Sequence, residues 1–481
     1  MLLIKRPLLV FFLCLLILEP GCTTPSPIQT SITVQVPNNS VPLYGKFETV
    51  LAVDAPYSNA FDPRDISVDV EFTSPSGTNK ICPAFLYSFA SKPGIPDEWR
   101  VRFSPDEEGL WQWKIKTVTQ NKTLESAVTT FDCIPSTNRG PITVSSWDPR
   151  FFAYECEASF YPIGHNVCWN SLEEYREQFA LMAANGENWA RVWIAPWNCE
   201  IEWSPRDGYT YHGLGAYNLD NARKLDGIMD AADENHLYIQ LVLHEHCRLS
   251  AKTNPEWQNN PYNAQLGGPC AAPKDFFVNE EARRLAKNRL RYIVARWGYS
   301  DHLMAWELFN EVDLTDEFSF DRDTPWHREM AEFLKKTDPH GHLITTSYMS
   351  APNADTLRLP VIDYSQSHVY AEDIDRRFLR FYESYASLGK PHFIGEFGRH
   401  TADGVDAQDL DGSFLHAGIW AQFMLPSAGN AMSWWWYDHI HPHRLYPAFA
   451  ALSRFSADVT RNCGDWVVQT GRFKGDLGTR F

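Results

Sequence analysis

The sequence predicts an α/β protein in which an all-β, immunoglobulin-like sandwich precedes a (β/α)8 (TIM) barrel. Two rhythms of apolar residues predict this fold. Short alternating runs such as ISVDVEF and LWQWKIKTV fill the first part of the chain, as in antiparallel sheets. Beyond residue 141, apolar runs of strand length alternate with amphipathic stretches of helical length, which is typical of a parallel sheet. A length of 481 residues provides for two to three domains.

Residues 1–22 have the pattern of a secretory signal. A basic pair, Lys5 and Arg6, precedes an apolar run that is too short to span a bilayer, for which about 20 residues are needed. The segment ends at Cys22 and a polar linker follows at residues 23–30, as in a bacterial lipoprotein signal; ordinary cleavage and release is the alternative. We therefore expect an exported protein, periplasmic, secreted or at the cell surface, that meets a membrane only through a lipid anchor at Cys22.

Residues 31–137 form the predicted sandwich domain. We see no catalytic residue set in it, so we interpret it as a structural or sugar-binding accessory module. Cys82 and Cys133 are its two cysteines, and an exported protein could bridge them. None of the ten cysteines of the chain forms a C-x-x-C pair, so no zinc ribbon or redox motif is indicated.

Residues 145–461 form the predicted barrel, and residues 462–481 a C-terminal extension. The eight predicted strands are 160–169, 189–196, 237–246, 303–312, 343–347, 362–370, 392–398 and 431–437. The clearest predicted helices are 171–184, 220–234, 280–297, 326–336, 373–388 and 448–460. A doubly wound open sheet is the competing fold, but no G-x-G-x-x-G turn follows the first strand.

Charge and composition limit the possible partners. Sixty acidic against 43 basic side chains give a net charge of −17, which would repel the phosphates of a nucleic acid. The 18 tryptophans suit stacking on sugar faces as well as packing a core. Trp193, Trp197, Trp203 and Trp257 are candidate sugar platforms, with packing at the barrel rim as the alternative. The long segment 247–275, rich in Trp, Tyr and Asn, is expected to form a wall of a cleft.

Two glutamates end strands on opposite sides of the predicted barrel mouth. Reactive residues of such barrels collect at the C-terminal ends of the strands. Glu311 ends strand four and Glu396 ends strand seven. Glycoside hydrolysis requires two carboxyl groups, one that protonates the leaving oxygen and one ionised group that acts at the anomeric carbon. The pair therefore predicts hydrolysis of a glycosidic bond.

The ordered set of residues at the strand ends resembles a known family. The set comprises Arg191, His244, Asn310-Glu311, His368-x-Tyr370, Glu396 and a tryptophan on strand eight. It is similar to the clan of retaining (β/α)8 glycoside hydrolases that contains cellulases and β-mannanases, over about residues 150–460. The β-sandwich before the barrel also resembles bacterial cellulase-like and apiosidase-like hydrolases.

The resemblance implies a role for each of these residues. Glu311 would be the general acid/base and Glu396 the nucleophile. Asn310 would bind the sugar 2-OH, and Arg191 and Tyr370 would keep Glu396 ionised. His244 and His368 would line the sugar pocket and tune Glu311. Trp435 would form the floor of the pocket, although a slip of one residue would put Trp434 or Trp436 there instead.

The resemblance further implies an enzyme that needs no metal or organic cofactor and acts on β-linked oligo- or polysaccharides. Two alternatives stay open. The first is a carbohydrate-binding lipoprotein on the same fold with no turnover. The second is a metal-dependent barrel hydrolase that uses His244 and His246, because alternate residues of a strand face the same way and imidazole is a common metal ligand. The oligomeric state is not readable from the sequence.

Overall fold

The computed structural model describes residues 31–34, 39–92, 95–120, 122–206, 208, 210–349, 354–399 and 409–459. The predicted signal at residues 1–22 with Cys22, the linker at 23–30 and the C-terminal extension at 462–481 lie outside the described residues. Among the described helices, none is both long and apolar enough to cross a membrane.

The N-terminal domain is a sandwich of two sheets, as the alternating runs predict. Its strands are β1 (Ser31–Val34), β2 (Ser40–Pro42), β3 (Phe47–Asp54), β4 (Ile66–Thr73), β5 (Asn79–Pro83), β6 (Phe85–Ser88), β7 (Glu98–Phe103), β8 (Gly109–Thr119), β9 (Thr123–Glu125) and β10 (Thr129–Ile134). One sheet has the order β1-β3-β7-β6, and the other has the order β2-β10-β8-β4-β5 with β9 beside β8. The alternation along β4 and β8 turns Val70, Phe72, Trp111 and Trp113 into the core between the sheets.

The described cysteines are free thiols. Cys82 on β5 and Cys133 on β10 are both buried and unpaired, and β8 and β4 separate their strands in the sheet. The bridge that the sequence left open between them is therefore not formed. Of the seven described cysteines six are buried, and Cys156 alone among them is exposed.

A small antiparallel sheet that the sequence did not predict joins the two domains. Its strands are β11 (Ile142–Val144), β12 (Phe152–Tyr154) and β13 (Ser159–Phe160). Phe152 and Phe160 pack with residues that begin the barrel strands, among them Trp189 and Tyr238. The sheet therefore closes the N-terminal end of the barrel with apolar side chains, and leaves the opposite end for chemistry.

The barrel is built from seven parallel strands and one shorter segment. The strands are β14 (Gly164–Asn166), β15 (Trp189–Trp193), β16 (Tyr238–Val242), β17 (Leu303–Glu307), β18 (Leu343–Thr345), β19 (Ser365–Tyr370) and β20 (His392–Gly398). In place of the predicted eighth strand, Ser433 forms a single parallel bridge with Phe397 of β20 and accepts a hydrogen bond from the backbone of Asn166 on β14. These contacts join the last strand to the first. Between the described strands β18 and β19 no ladder forms, and the backbone N–H of Asp363 donates to the carbonyl of Ile344 instead.

Eight helices of the described residues surround the barrel, and all but α5 and α7 overlap the predicted ones. They are α1 (Leu172–Ala184), α2 (Leu219–Glu234), α3 (Glu280–Trp297), α4 (Phe320–Thr337), α5 (Ala354–Arg358), α6 (Ile374–Tyr385), α7 (Ser413–Phe423) and α8 (Pro447–Ser456). Short 3-10 turns lie at His246–Leu249, Trp257–Asn259, Ala264–Leu266, Pro273–Phe277, Val312–Leu314 and Ala386–Leu388, and a π-helical turn lies at Trp436–Ile440. Ser171 begins α1 with a reciprocal capping box to Glu174, and Asn279 caps α3.

The sandwich is fixed to α2 and α3 of the barrel by buried charges. Asp226 of α2 accepts hydrogen bonds from Arg102 of the sandwich (2.8 Å), from Arg296 (2.6 Å) and from the indole of Trp297 (2.9 Å). Burial would raise the pKa of Asp226, but hydrogen bonding and charge from Arg296 and Arg102 hold that pKa below its usual value. One continuous apolar core runs through both domains around this network.

The replacement Asp226→Ala tests how strongly this interface is held. It leaves two largely buried guanidinium groups without their shared anion, so we expect a loss of about 3–5 kcal/mol in the free energy of unfolding, measured by urea titration. Asp220→Ala on the same helix is the matched control, because its partner is the exposed Arg223, and should cost less than about 1 kcal/mol. Equal losses for the two variants would contradict this account of the interface.

Candidate active site

Glu311 lies at the C-terminal end of the barrel, four residues beyond the end of β17. Its backbone is left-handed, with φ 48° and ψ 50°, a conformation that costs free energy in a residue with a side chain. The hydroxyl of Ser347 accepts the backbone N–H of Glu311 at 3.0 Å and donates to Glu307 at 2.9 Å. The chain is thus held in a strained turn that directs this carboxyl group into the barrel mouth.

Glu396 lies on β20 and is held by two donors. Arg191 of β15 donates from Nη1 to Oε1 of Glu396 at 2.5 Å, and the phenol of Tyr370 donates to Oε2 at 2.7 Å. The other edge of the Arg191 guanidinium forms a bidentate pair with Glu307, in which Nε and Nη2 each donate to one carboxylate oxygen at 2.7 Å. Glu396 is therefore fixed in orientation by groups that favour its ionised form.

The two carboxyl groups face each other across His368. One carboxylate oxygen of Glu311, one of Glu396 and Nδ1 of His368 all lie within 4.8 Å of one another. Nδ1 of His368 is 2.7 Å from Glu311 and 3.4 Å from Glu396. Burial lowers the pKa of His368, so its ring is neutral at pH 7 and Nδ1–H donates to Glu311.

The two glutamates differ in their surroundings. Burial raises the pKa of Glu311 to about 7, and among the described residues no guanidinium is hydrogen-bonded to its carboxyl group. Burial also raises the pKa of Glu396, but the charge of Arg191 and the hydrogen bond from Tyr370 act against it. Glu311 is thus the group able to hold a proton near neutral pH, and Glu396 is the group placed to lose one.

The structure separates the two histidines that follow β16. His244 lies in an aromatic cluster, 5.7 Å from the ring of Phe309 and 5.6 Å from Trp326, and Nδ1 bonds the carbonyl of Leu308. The expectation that His244 lines the sugar pocket is therefore not met. His246 reaches the site instead, with Nδ1 at 3.6 Å from Glu311.

The end of strand β16 explains why His246, and not His244, reaches the site. β16 ends at Val242 and a 3-10 turn starts at His246, so the alternation of faces that would align residues 244 and 246 does not continue. The same break removes the geometric basis for a metal site made of the two histidines, because their side chains do not converge. The spacing of Glu311, His368 and Glu396 would suit an ion, but the Arg191 cation beside Glu396 opposes one, and we assign these three groups to proton and bond chemistry.

The remaining predicted residues lie around the carboxyl pair. Asn310 is fully buried; its amide oxygen accepts from Arg191 at 2.6 Å and its amide nitrogen is 3.4 Å from His246. Trp435 packs over Gly398, where an added Cβ would lie 2.4 Å from the indole nitrogen, and contacts Tyr370. Trp436 is buried in the core, whereas Trp435 lies beside Tyr370 and Trp434 lines the neighbouring cleft.

An aromatic cleft of about 420 Å³ adjoins Glu311 and Glu396. His246 connects the two regions, because it lines the cleft and also contacts Glu311. Its lining residues are Trp169, Trp193, Trp197, Trp434, His246, Cys247, Asn254, Pro255 and Glu256. Trp193 and Trp197 were candidate platforms, whereas Trp203 and Trp257 are buried and do not line it. The segment 247–275 supplies one wall, as its composition predicted.

Sequence reasoning missed several residues of the site. Asn166 at the end of β14 accepts a hydrogen bond from Arg191 and donates to the carbonyls of Gly395 and Ser433, so it joins the first strand to the last two. Gln240 donates to Glu307 at 2.6 Å. Trp169 lines the cleft, beside Trp434, which the sequence offered as an alternative to Trp435. Asn166 and Gln240 both lie within predicted strands. An amide side chain among the apolar residues of a strand was the feature of the sequence that could have identified them.

A (β/α)8 barrel with two carboxyl groups facing each other at the ends of strands four and seven defines the protein as a glycoside hydrolase. The family profile described as Cellulase (glycosyl hydrolase family 5) matches residues 155–440, and the chain belongs to this family. The non-catalytic alternative is thereby set aside. Residues 40–118 match a second profile, described as Domain of unknown function (DUF5060).

Similar proteins agree with the family and the fold. Two curated relatives from Oryza sativa subsp. japonica are Mannan endo-1,4-beta-mannosidase 7, 24% identical over 41% of this chain and 63% of the relative, and Mannan endo-1,4-beta-mannosidase 3, 23% identical over 49% and 58%. The chain thus spans about three-fifths of these relatives. A crystal structure of a provisionally assigned glycoside hydrolase from Bacteroides vulgatus has a TM-score of 0.59 and 16% identity, covering 82% of this chain and 71% of that one. These comparisons support the cellulase and β-mannanase clan and do not extend to apiosidase-like enzymes.

Matched alanine variants of His244 and His246 test the exchange of roles. His246→Ala removes a contact with Glu311, so we expect kcat/KM for hydrolysis to fall at least about tenfold with little loss of thermal stability. His244→Ala opens a cavity in the aromatic cluster, so we expect a lower melting temperature. At temperatures where this variant is folded, its kcat/KM should be close to that of the wild type. The reverse pattern would restore His244 to the site.

Proposed function

We propose that the protein is a retaining glycoside hydrolase that cleaves β-1,4-linked mannan-type polysaccharides by a two-glutamate double displacement. The observation that carries the mechanism is the spacing of Glu311 and Glu396, with carboxylate oxygens within 4.8 Å of each other. Retaining enzymes have their two carboxyl groups about 5–5.5 Å apart, whereas inverting enzymes leave room for a water between groups at least about 6.5 Å apart.

The proposed reaction has two steps. In the first, Glu396 attacks the anomeric carbon while Glu311 gives its proton to the glycosidic oxygen, so that the bond to the leaving sugar breaks and a glycosyl ester of Glu396 forms. In the second, Glu311 takes a proton from a water molecule, whose oxygen attacks the same carbon and releases Glu396. The pKa of about 7 at Glu311 suits a group that both gives and takes a proton.

The surroundings of Glu396 support its role as nucleophile. Arg191 and Tyr370 bond separate oxygens of the carboxylate and so leave its orientation fixed before substrate binds. Asn310 is held by Arg191 at its amide oxygen, and its amide nitrogen, which has a second N–H besides the one that reaches His246, favours a contact with a sugar hydroxyl.

The substrate class is supported by the cleft and by the relatives. Trp169, Trp197 and Trp434 are half-buried, with the ring of Trp169 5.6 Å from those of the other two, so flat faces remain for stacking on sugar rings. A volume of about 420 Å³ lies in the range of ligand-binding clefts. Curated relatives are named as mannan endo-1,4-beta-mannosidases, which directs the proposal to β-mannan.

Hydrolysis of mannan, glucan and xylan oligosaccharides by the wild type, Glu311→Ala and Glu396→Ala tests the proposal. We expect the wild type to prefer mannan and each variant to lose at least about a thousandfold in turnover, since neither step proceeds without its carboxyl group. Azide should partly restore Glu396→Ala and give a product of inverted configuration. Wild-type turnover that persists in both variants would refute the assigned roles, and a preference for another polymer would refute only the substrate.

We also propose export, on the basis of the sequence pattern of residues 1–22, with lipidation at Cys22 as one outcome. The mass of the mature N-terminus measures this. A lipid-bearing Cys22 or a cleaved, unmodified N-terminus would both support export, whereas an intact Met1 would contradict it.

A further inference from the structure

A cluster of buried charged residues is formed by α3 and the segments that follow strands β15 and β16. It is separate from the pair Glu311 and Glu396. It consists of Glu200, Glu202, Glu245, Arg248 and Arg289, none of which is more than 2% exposed. Arg248 bonds Glu200, and Arg289 contacts both oxygens of Glu200 at 2.9 and 3.1 Å. Both guanidinium groups are therefore committed mainly to Glu200.

The cluster contains three carboxyl groups and two cations. Burial raises the pKa of Glu202 and that of Glu245 to about 7 each. Glu245 is only loosely paired, at 3.4 Å from Nε of Arg248. Its shorter hydrogen bond is the one that Oε2 accepts from the backbone N–H of Arg248, at 2.9 Å. Ion pairing therefore does not explain the place of Glu245, whereas backbone capping does.

Glu245 caps the turn that carries His246 to the site. The 3-10 turn His246–Leu249 begins directly after Glu245, and the bond to the N–H of Arg248 satisfies one of its free donors. The backbone of Glu245 also lies beside Asn310 in a parallel bridge, next to a hydrogen bond from the N–H of Asn310 to the carbonyl of His244. Glu245 thus fixes the point where the chain leaves the strand next to Glu311.

We propose that Glu245 is a positioning residue that holds His246 against Glu311 by capping this turn. The inference rests on the proposed acid/base role of Glu311. His246 lies at 3.6 Å from Glu311 on one side and bonds Asn254 at 3.2 Å through Nε2 on the other. A loosened turn would withdraw the ring from Glu311.

The expected sign follows from the charges that face the two groups. Glu311 faces His246, Asp313, Arg191, Glu307, His368 and Glu396, and Glu245 faces Arg248, Glu200 and Cys247. Burial raises the pKa of Glu311, and a positive charge on His246 would lower it. As a general acid Glu311 must be protonated, so kcat/KM falls as pH rises through its pKa, and withdrawal of His246 moves that alkaline limb to higher pH.

The test is the pH profile of kcat/KM for Glu245→Ala, Glu245→Gln and Glu202→Gln. We expect Glu245→Ala to move the alkaline limb up by up to about 1 pH unit and to lower kcat about tenfold. Glu245→Gln keeps an oxygen acceptor for the N–H of Arg248 and should therefore retain the pH profile of the wild type. Glu202→Gln alters charge in the same cluster but does not contact the turn, and should leave the limb unchanged.

A double-mutant comparison separates positioning from mere support of the fold. If Glu245 acts through His246, the alkaline limb of the Glu245→Ala/His246→Ala variant should match that of His246→Ala alone. Should Glu245→Ala not fold, Glu245→Asp, which draws the acceptor back by one methylene, replaces it and should give a smaller shift of the same sign. An unchanged limb in an active Glu245→Ala or Glu245→Asp enzyme overturns the inference. A wild type inactive on every glycoside overturns the proposed function instead.

Discussion

The guanidinium group of Arg191 holds the active site together. It is fully buried and bonds Glu307, Glu396, Asn310 and Asn166, which come from three other strands of the barrel. A buried cation is costly to desolvate unless its hydrogen bonds are all met, and these four partners meet them. The arrangement also creates the difference between the two glutamates, since the cation is bonded to Glu396 and not to Glu311.

Much of the site was predictable because a barrel gathers its strand ends at one mouth, so the polar residues ending strands two, four, six and seven were bound to converge. His244 was misplaced since alternation of faces holds only while a strand lasts, and β16 ends at Val242. The sequence could not choose among Trp434, Trp435 and Trp436, because the direction of each side chain depends on the π-helical turn that begins at Trp436. The small sheet β11–β13 was missed because strands of two or three residues are too short to show a period.

The sandwich was predicted as a domain, but its union with the barrel was not, since that depends on pairs far apart in sequence. Arg102 and Asp226 are 124 residues apart and meet in an ion pair in which Arg102 is buried and Asp226 is partly buried. The outward face of β8 carries Gln112, Lys114 and Lys116, and aromatic residues of this strand point into the core. The described sandwich thus fits a structural partner of the barrel better than a second sugar-binding surface.

If the enzyme is exported as proposed above, its buried thiols have a consequence for its lifetime. Six unpaired cysteines are kept from one another only by the packing around them, because no bridge ties any of the described ones. In an oxidising compartment each opening of the native structure would expose thiols able to form wrong bridges, a reaction that is slow compared with ordinary refolding. Durability would then follow the equilibrium fraction of open chains, and therefore the free energy of unfolding.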